Sequence, residues 1–464
     1  MKTLFPKQVN WAIFFLVAVI IKLVFYDIST FSYCAIILSL YQFTLLFWGI
    51  GNIMPIRYLF GAFMCLQFCV GPALSYNGLD QYQTLTYRMR ISETEYFSYA
   101  LPAVISFIMG LHVTAGNFRG EILDEVGIRK FVDRNPQLPL IFIAIGFFSS
   151  VVSAFMASEL AFVFYLLGSF KFVGLFLLIV GGREMQILPI KQLRLLPLIL
   201  VLGSIIVSSL GTGMFHDLLT WIIFIGAVYA LQYKIGFNVK LVGCIIFVML
   251  AVTIQQLKGD YRKSTQQQGE DAGIETLTET YNEKNEGDNS IFSFNSLAPS
   301  LSRINQGFII TNIITTVPDR QPFENGSEMA EILESAILPR VLAPNKLNAG
   351  DRDIFMKYTG MHLREGTSMA LSSLGDAYIN FGYIGGCIFM FFLGLTYSTV
   401  LNSFEKYSHK YSCILLFLPL VFYYPIRPDC ELQTILGHLV KAVFLIFIIV
   451  YNWRNVFADQ PLQE

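Results

Sequence analysis

Two sets of residues in this sequence have the types and spacing for chemistry. The first is a series of cations. Lys258 and Arg262 stand in QQLKGDYRK, Arg303 in SRINQG, Arg340 in LPR and Lys346 in APNK. Arg352, Lys357 and Arg364 follow, then Arg427 in PIRPDCE, with Arg88 and Arg90 far upstream. Lys258 and Arg262 are four apart, so on one helix they share a face. Five of these cations flank Pro, Gly or a helix end, where a side chain is held in place. Arginine grips phosphate through paired hydrogen bonds, so the group suits a polyanionic, lipid-linked substrate. Taken singly, each reads as a solvated or ion-paired surface residue, because acids are plentiful nearby. The second set is the stretch REGTSMALSSLGDAYINFGYIGG at 364–386. It carries Arg364, Glu365, Thr367, Ser368, Ser372, Ser373, Asp376, Tyr378 and Asn380 directly before the apolar run CIFMFFLGLTYSTVL. A polar group left unpaired in hydrocarbon costs several kcal/mol by rough estimate. The stretch is therefore either a water-exposed approach or the rim of a polar cavity. Asp376 is the first candidate for a carboxylate that accepts a proton. It reads equally as an arginine partner or as a helix cap, where the macrodipole favours an anion. Glu365, Asp217 and His216 are weaker alternatives for the base. Tyr378 and Asn380 can serve a ligand or a helix–helix hydrogen bond, and Gly375, Gly382, Gly385 and Gly386 suit close helix approach.

These residues must be positioned by membrane helices. The 464 residues are 54% hydrophobic and 14% charged, with mean hydropathy +0.56. A soluble domain carries about 25% charged residues, so the fold class is an all-α polytopic membrane protein. The apolar pattern predicts about twelve transmembrane helices, near 9–27, 31–50, 56–75, 95–115, 138–157, 159–181, 194–211, 215–233, 239–257, 376–402, 412–426 and 432–452. The eleventh is short and broken by Pro419 and Pro425. With the N-terminus in the cytoplasm, fifteen Lys and Arg fall in inside segments against three in short outside loops. That bias sets the orientation, with both termini cytoplasmic. Lys22, Lys171 and Lys441 fall within spans, and Lys22 and Lys441 read as snorkelling towards a helix end. The first apolar stretch, WAIFFLVAVIIKLVF, lacks a small-residue cleavage site and reads as an anchor that stays. Net charge is −1, which gives no footprint for nucleic acid.

The division expected is 1–257 for helices one to nine, 258–368 for one large extracytoplasmic loop, and 369–464 for the last three helices. Within the loop, 264–290 is polar and acidic and reads as a flexible tip without chemistry. Residues 291–368 read as a folded helical cap. SLSRINQGFIITNIITTVP is a helical stretch ended by Pro318. NGSEMAEILESAILPR is an amphipathic helix with Ser327 as N-cap. Its apolar stripe is Met329, Ile332, Leu333, Ala336 and Ile337, and Pro339 terminates it. Six of the seven Cys lie in hydrophobic segments and Cys430 in a short loop, without metal-ligand spacing. Neither a disulfide framework nor a zinc site is expected.

The runs LPRVLAPNK, Gly366-Thr367-Ser368 and LGDAYINFGYIGG, with LKGDYR and SRINQG upstream, resemble the Wzy-type O-antigen and oligosaccharide repeat-unit polymerases. The likeness in motif covers about 258–394; elsewhere it is one of helix number and topology. It implies an inverting, metal-independent glycosyltransferase of GT-C-like architecture in the inner (plasma) membrane, needing no cofactor. The substrate would be an oligosaccharide repeat unit on undecaprenyl pyrophosphate. The growing chain would pass to the next lipid-linked unit, building O-antigen, capsule or exopolysaccharide. A Wzx-type flippase and a chain-length regulator would be partners. The cations would meet the pyrophosphate, with Lys258, Arg262, Arg303 and Arg340 foremost and Lys346, Arg352, Arg364 and Arg427 behind them. Thr367, Ser368, Tyr378 and Asn380 would touch sugar or phosphate, and Asp376 or Glu365 the acceptor proton. The family usually has Glu where this chain has Asp376, and often Arg where it has His216-Asp217, so no arginine role transfers there. Rival readings are an O-antigen ligase-like transferase with another acceptor, a transporter of the same lipid-linked sugars, and a non-catalytic scaffold. No repeat relates the first six spans to the last six, which many transporters have.

Overall fold

The computed structural model describes residues 9–79, 87–115, 122–153, 155–156, 158–181, 196–262, 264–265, 273–285, 301–338, 350, 352–363 and 369–458. Among them every regular element is a helix. In chain order these are α1 (Trp11–Val24), α2 (Thr30–Gly49), α3 (Ile56–Tyr76), α4 (Glu93–Val113), α5 (Glu125–Arg134), α6 (Leu138–Ser153), α7 (Ser158–Gly168), α8 (Phe170–Gly181), α9 (Leu196–Thr212) and α10 (His216–Tyr233). Then come α11 (Phe237–Arg262), α12 (Ile274–Asn285), α13 (Gly307–Thr316), α14 (Ser327–Ile337), α15 (Arg352–Thr359), α16 (Ser372–Ser408), α17 (Ser412–Val421), α18 (Leu432–Asn452) and α19 (Arg454–Phe457). Starts follow capping chemistry. Ser29 accepts from the Ser32 amide before α2, and Ser92 from the Glu95 amide before α4.

Among the described residues, seven helices are long and apolar enough to cross a membrane: α2, α3, α4, Phe162–Gly181, α11, α16 and α18. An eighth results if α5 and α6, bent by 83°, count as one. The expected spans at 9–27, 194–211 and 412–426 correspond to shorter helices. With 14 residues, α1 is about 21 Å long, short of the ~30 Å hydrocarbon layer. The first six residues of α17 form a 3₁₀ helix, and the helix stops before Pro425.

The central pair is α4 and α16, packed along their lengths. A Cβ built on Gly110 would lie 2.1 Å from the Phe391 carbonyl oxygen, and one on Gly394 2.2 Å from that of Phe107. Only glycine permits this approach. At one end of the pair the Tyr99 hydroxyl donates to the Leu374 carbonyl at 2.7 Å. At the other end Arg57, 2% exposed, donates to the Leu111 carbonyl and to Ser398 Oγ. Lys22 reaches past the end of its helix to the Ile28 carbonyl at 2.8 Å, as snorkelling requires. Lys441 instead sits 4.2 Å from the centre of the Phe162 ring.

The segment expected as a folded helical cap contains α13, α14 and α15 among the described residues. Helix α13 is wedged into the bundle against α3, α15 and α16. Phe308, Ile310, Thr311 and Ile313 have no exposed surface, so the apolar spacing of this stretch belongs to a helix buried nearly all round. The N-cap of α14 is Gly326, not Ser327. Met329, Ile332 and Ala336 are buried, whereas Leu333 and Ile337 are exposed, so the apolar stripe is narrower than expected. Residues 273–285, within the segment read as a flexible tip, include the helix α12. Thr276 and Thr280 are buried there, and the helix packs on α11. A helix-forming acidic sequence needs only a narrow stripe against a neighbour.

Candidate functional site

The end of the bundle that carries the C-terminus of α11 gathers four cations. Lys258 and Arg262 lie in the last turns of α11 and share the expected face. The guanidinium Nε of Arg262 donates to the Gly213 carbonyl at 2.8 Å. Gly213 has φ +61°, and a Cβ there would meet Arg262 Cγ at 2.9 Å. Tyr261, beside it, donates its hydroxyl to the Leu210 carbonyl at 3.0 Å. Together these residues clamp the turn between α9 and α10. Arg303 reaches back to α11 and donates to the Gln255 carbonyl at 3.2 Å. Arg427, five residues before α18, completes the group. Arg262, Arg303, Arg427 and Asp429 all act electrostatically on Lys258.

Arg427 is the buried member, with 15% of its side chain exposed. Its Nη2 is 3.9 Å from Asp429 Oδ2, and its guanidinium lies 5.4 Å from the Tyr424 ring centre. Its Nη1 is buried and bonded to no described residue. Burial alone would weaken its cationic form, but the nearby carboxylates of Asp429 and Asp217 favour the charge. A buried guanidinium with an unused donor is costly unless an anion meets it. Burial pushes the neighbouring Cys430 up to about 12, so that side chain is a neutral thiol.

Besides Asp429, the carboxylate of Asp217, in the first turn of α10, acts electrostatically on Arg427. Its Oδ1 accepts from the Tyr423 hydroxyl and lies 2.6 Å from His216 Nε2. Tyr423 is fixed by an aromatic stack: its ring lies 5.2 Å from Trp221, and Trp221 lies 3.5 Å from Phe172. Asp217 and His216 are partly exposed, at 40% and 35% of their side chains. Arg427 lies within electrostatic reach of Asp217.

Asp376 lies elsewhere and does other work. It is 3% exposed, and its Oδ2 accepts from the Leu432 amide at 3.1 Å, capping α18. The charged groups acting on it are Glu328 and Glu431, both anions. Asn380, 1% exposed, accepts from the Met329 amide at 3.1 Å and so caps the first turn of α14. Its Nδ2 donates to Glu328 Oε2 at 3.2 Å and to the Asp376 carbonyl at 2.9 Å. Tyr378 is 2% exposed, packed edge-on against Tyr99 and Phe323, with its hydroxyl on the Val317 carbonyl at 3.4 Å. The sequence offered these three a second role, as a helix cap or as contacts between helices, and the bonds they make are of that kind. Asp376 ties α16 to α18, Asn380 ties α16 to α14, and Tyr378 ties α16 to the residue that follows α13. Arg352 begins α15 with Nε 3.9 Å from Asp353. Arg340, Lys346, Arg364, Glu365, Thr367 and Ser368 lie outside the described residues.

Near Asp376, Glu324 accepts from Lys357 at 2.9 Å and from the Tyr358 hydroxyl at 2.6 Å. These two donors hold its carboxyl down at about 2. Burial, with Glu324 and Glu331 adding to it, raises Glu328 to about 7.

Sequence reasoning missed Tyr165, Tyr423 and Tyr424, which surround the Asp217–Arg427 pair. The signal available was the run FYYPIRPD, in which two tyrosines end an apolar segment directly before an arginine. A family model described as Domain of unknown function (DUF8712) matches residues 13–459. No curated protein matches the chain, and no solved structure does.

Proposed function

The chain belongs to the family of the Domain of unknown function (DUF8712), and from that premise we propose that it is a membrane glycosyltransferase acting on a pyrophosphate-linked lipid oligosaccharide. In this reading it polymerises repeat units carried on undecaprenyl pyrophosphate, as its likeness to the Wzy-type polymerases implies. The shorter helices α1, α9 and α17, with α10 and the bent pair, join the longer ones as twelve spans in a GT-C-like arrangement. The cation-bearing end faces outwards from the inner membrane, both termini are cytoplasmic, and a flippase and a chain-length regulator are the natural partners.

One observation carries the reading: Lys258, Arg262, Arg303 and Arg427 converge, and Arg427 keeps a buried Nη1 with no described partner. As the sugar C1–O bond breaks, charge grows on the departing diphosphate. Fixed cations in a poorly solvated site stabilise that charge far more than water would. Three cations around a fourth, shielded guanidinium suit a diphosphate better than a carboxylate or a neutral sugar. The acceptor hydroxyl attacks C1 from the opposite face, so the anomeric configuration inverts.

The test is reconstitution with a synthetic undecaprenyl-pyrophosphate repeat unit, products resolved by gel, alongside Arg427→Gln. A ladder from the wild type, reduced by about 100-fold or more in the variant, is expected from loss of one charge-stabilising donor. Transfer only to an added lipid-core acceptor would make the protein a ligase. Translocation of the unit across liposomes without any product would make it a transporter. A ladder unchanged in Arg427→Gln would remove the site.

A further inference from the structure

We infer that Asp217 is the group that takes the proton from the attacking hydroxyl, with His216 and Tyr423 as its positioning residues. The inference rests on the transferase reading and deepens it.

The geometry divides the carboxylate into two halves. Oδ1 is anchored twice, by His216 Nε2 at 2.6 Å and by the Tyr423 hydroxyl. No described residue bonds Oδ2, and the side chain is 40% exposed. A carboxylate held by one oxygen and open at the other is oriented for an incoming O–H. The buried Asp376 offers no such opening. The anchors are themselves fixed, Tyr423 by its stack on Trp221 and the turn before His216 by Arg262 on the Gly213 carbonyl. The groups that face Asp217 are His216 from its own helix, Tyr165 from α7, and Tyr423, Tyr424, Arg427 and Cys430 from the segment before α18. Arg427 belongs to the diphosphate cations and acts electrostatically on Asp217, so base and leaving-group cations belong to one site, with C1 between them.

The step balances simply. The acceptor O–H bond breaks and its proton passes to Asp217 Oδ2. The acceptor oxygen bonds to C1, and the C1–O bond to phosphate breaks with its electron pair leaving on the diphosphate. Asp217 later returns the proton to water. A positioned base contributes about 100- to 10,000-fold; with diphosphate as a good leaving group, the lower end applies.

The experiment measures kcat, KM for the lipid-linked donor and the pH–rate profile for Asp217→Asn, Asp217→Glu and Tyr423→Phe in the full-length protein. Asp217→Asn should lower kcat by about 100-fold, with KM little changed and the acid limb of the profile gone. Asp217→Glu should recover part of kcat and keep that limb. Tyr423→Phe should shift the limb to higher pH, because a hydrogen bond to the carboxylate is lost. Full kcat in Asp217→Asn, or a raised KM with kcat intact, would overturn the inference. If Arg427→Gln is inactive while Asp217→Asn is not, the inference fails and the transferase reading stands. No product from the wild type would remove both.

Discussion

Glu328 should make the docking of α14 sensitive to pH. The side chain is 8% exposed in the first turn of α14, and its Oε2 accepts from Asn380 at 3.2 Å. Burial is the main cause that raises it, the like charges of Glu324 and Glu331 add to it, and the Asn380 donor and Lys357 oppose it. Its pKa rises from 4.5 to about 7. The docked state therefore holds the proton more tightly than the undocked one. Below pH 4.5 both states are protonated and docking is strongest. Between 4.5 and 7 only the undocked state ionises freely, so docking weakens as pH rises, and above 7 the loss is complete. At 1.36 kcal/mol per pH unit the full loss is about 3 kcal/mol. Hydrogen exchange of the α14 amides in the detergent-purified protein reads this directly, once corrected for intrinsic exchange. Protection should fall roughly 70-fold between pH 5 and pH 8, while amides in the α4–α16 core stay level. In Glu328→Gln the α14 protection should be flat across that range and equal to the wild type's acid value. A flat wild-type profile, or an equal slope in Glu328→Gln, would refute the reasoning.

Two further outcomes follow from the packing. Asp376→Asn keeps an acceptor for the Leu432 amide, so transferase activity should stay within a few-fold of wild type. Asp376→Ala leaves that buried amide unpaired and should cost about 1–3 kcal/mol of stability, read as a lower thermal midpoint by intrinsic fluorescence. Loss of activity in Asp376→Asn at full stability would return that residue to the catalytic candidates. Gly394→Ala puts a methyl 2.2 Å from the Phe107 carbonyl oxygen, so α4 and α16 must separate and monodisperse yield should collapse on size exclusion. Gly203→Ala, with nothing within 4 Å, should leave yield unchanged. A normal elution profile for Gly394→Ala would mean that the two helices do not meet as described.

What was legible in the sequence depended on range. The Lys258–Arg262 face follows from a four-residue spacing on one helix, and the structure keeps it. The helices α2, α3, α4 and α18 follow from continuous apolar runs with serine caps or charged flanks. What failed was long-range. Asp376 caps the amide of Leu432, 56 residues on, and no local pattern announces the far partner of a cap. The same holds for Asn380 and the Met329 amide, 51 residues back. Helix α13 was read as part of a cap outside the bundle, and its threonines and Asn312 gave no sign of how deeply it packs. Thr311, Thr315, Thr316 and Asn312 instead bond backbone carbonyls within the helix, which lets the segment be buried. Asp217 was underweighted because a lone His-Asp at a helix start is an ordinary motif. Its meaning came from Tyr423, more than two hundred residues away.

The polar stretch before α16 and the cation site are two parts of one construction. Asp376 fixes where α18 begins, through the Leu432 amide. Glu431, just before it, accepts from Thr434 at 2.7 Å and from the Gly350 amide at 2.8 Å, which ties the same helix start to the segment before α15. Arg427 stands only four residues before Glu431, in a turn held by the Cys430 amide on its own carbonyl at 3.1 Å. Its buried guanidinium has little freedom once that helix start is set. Tyr423 and Tyr424, on the other side of the turn, are set with it, and Tyr423 in turn holds Asp217. Residues outside the cation group thus set the spacing between the proposed proton acceptor and the proposed diphosphate cation. That explains why a segment entering a bilayer carries so many buried polar groups. Asp376 and Asn380 are paired, and their bonds set the register of α14, α16 and α18.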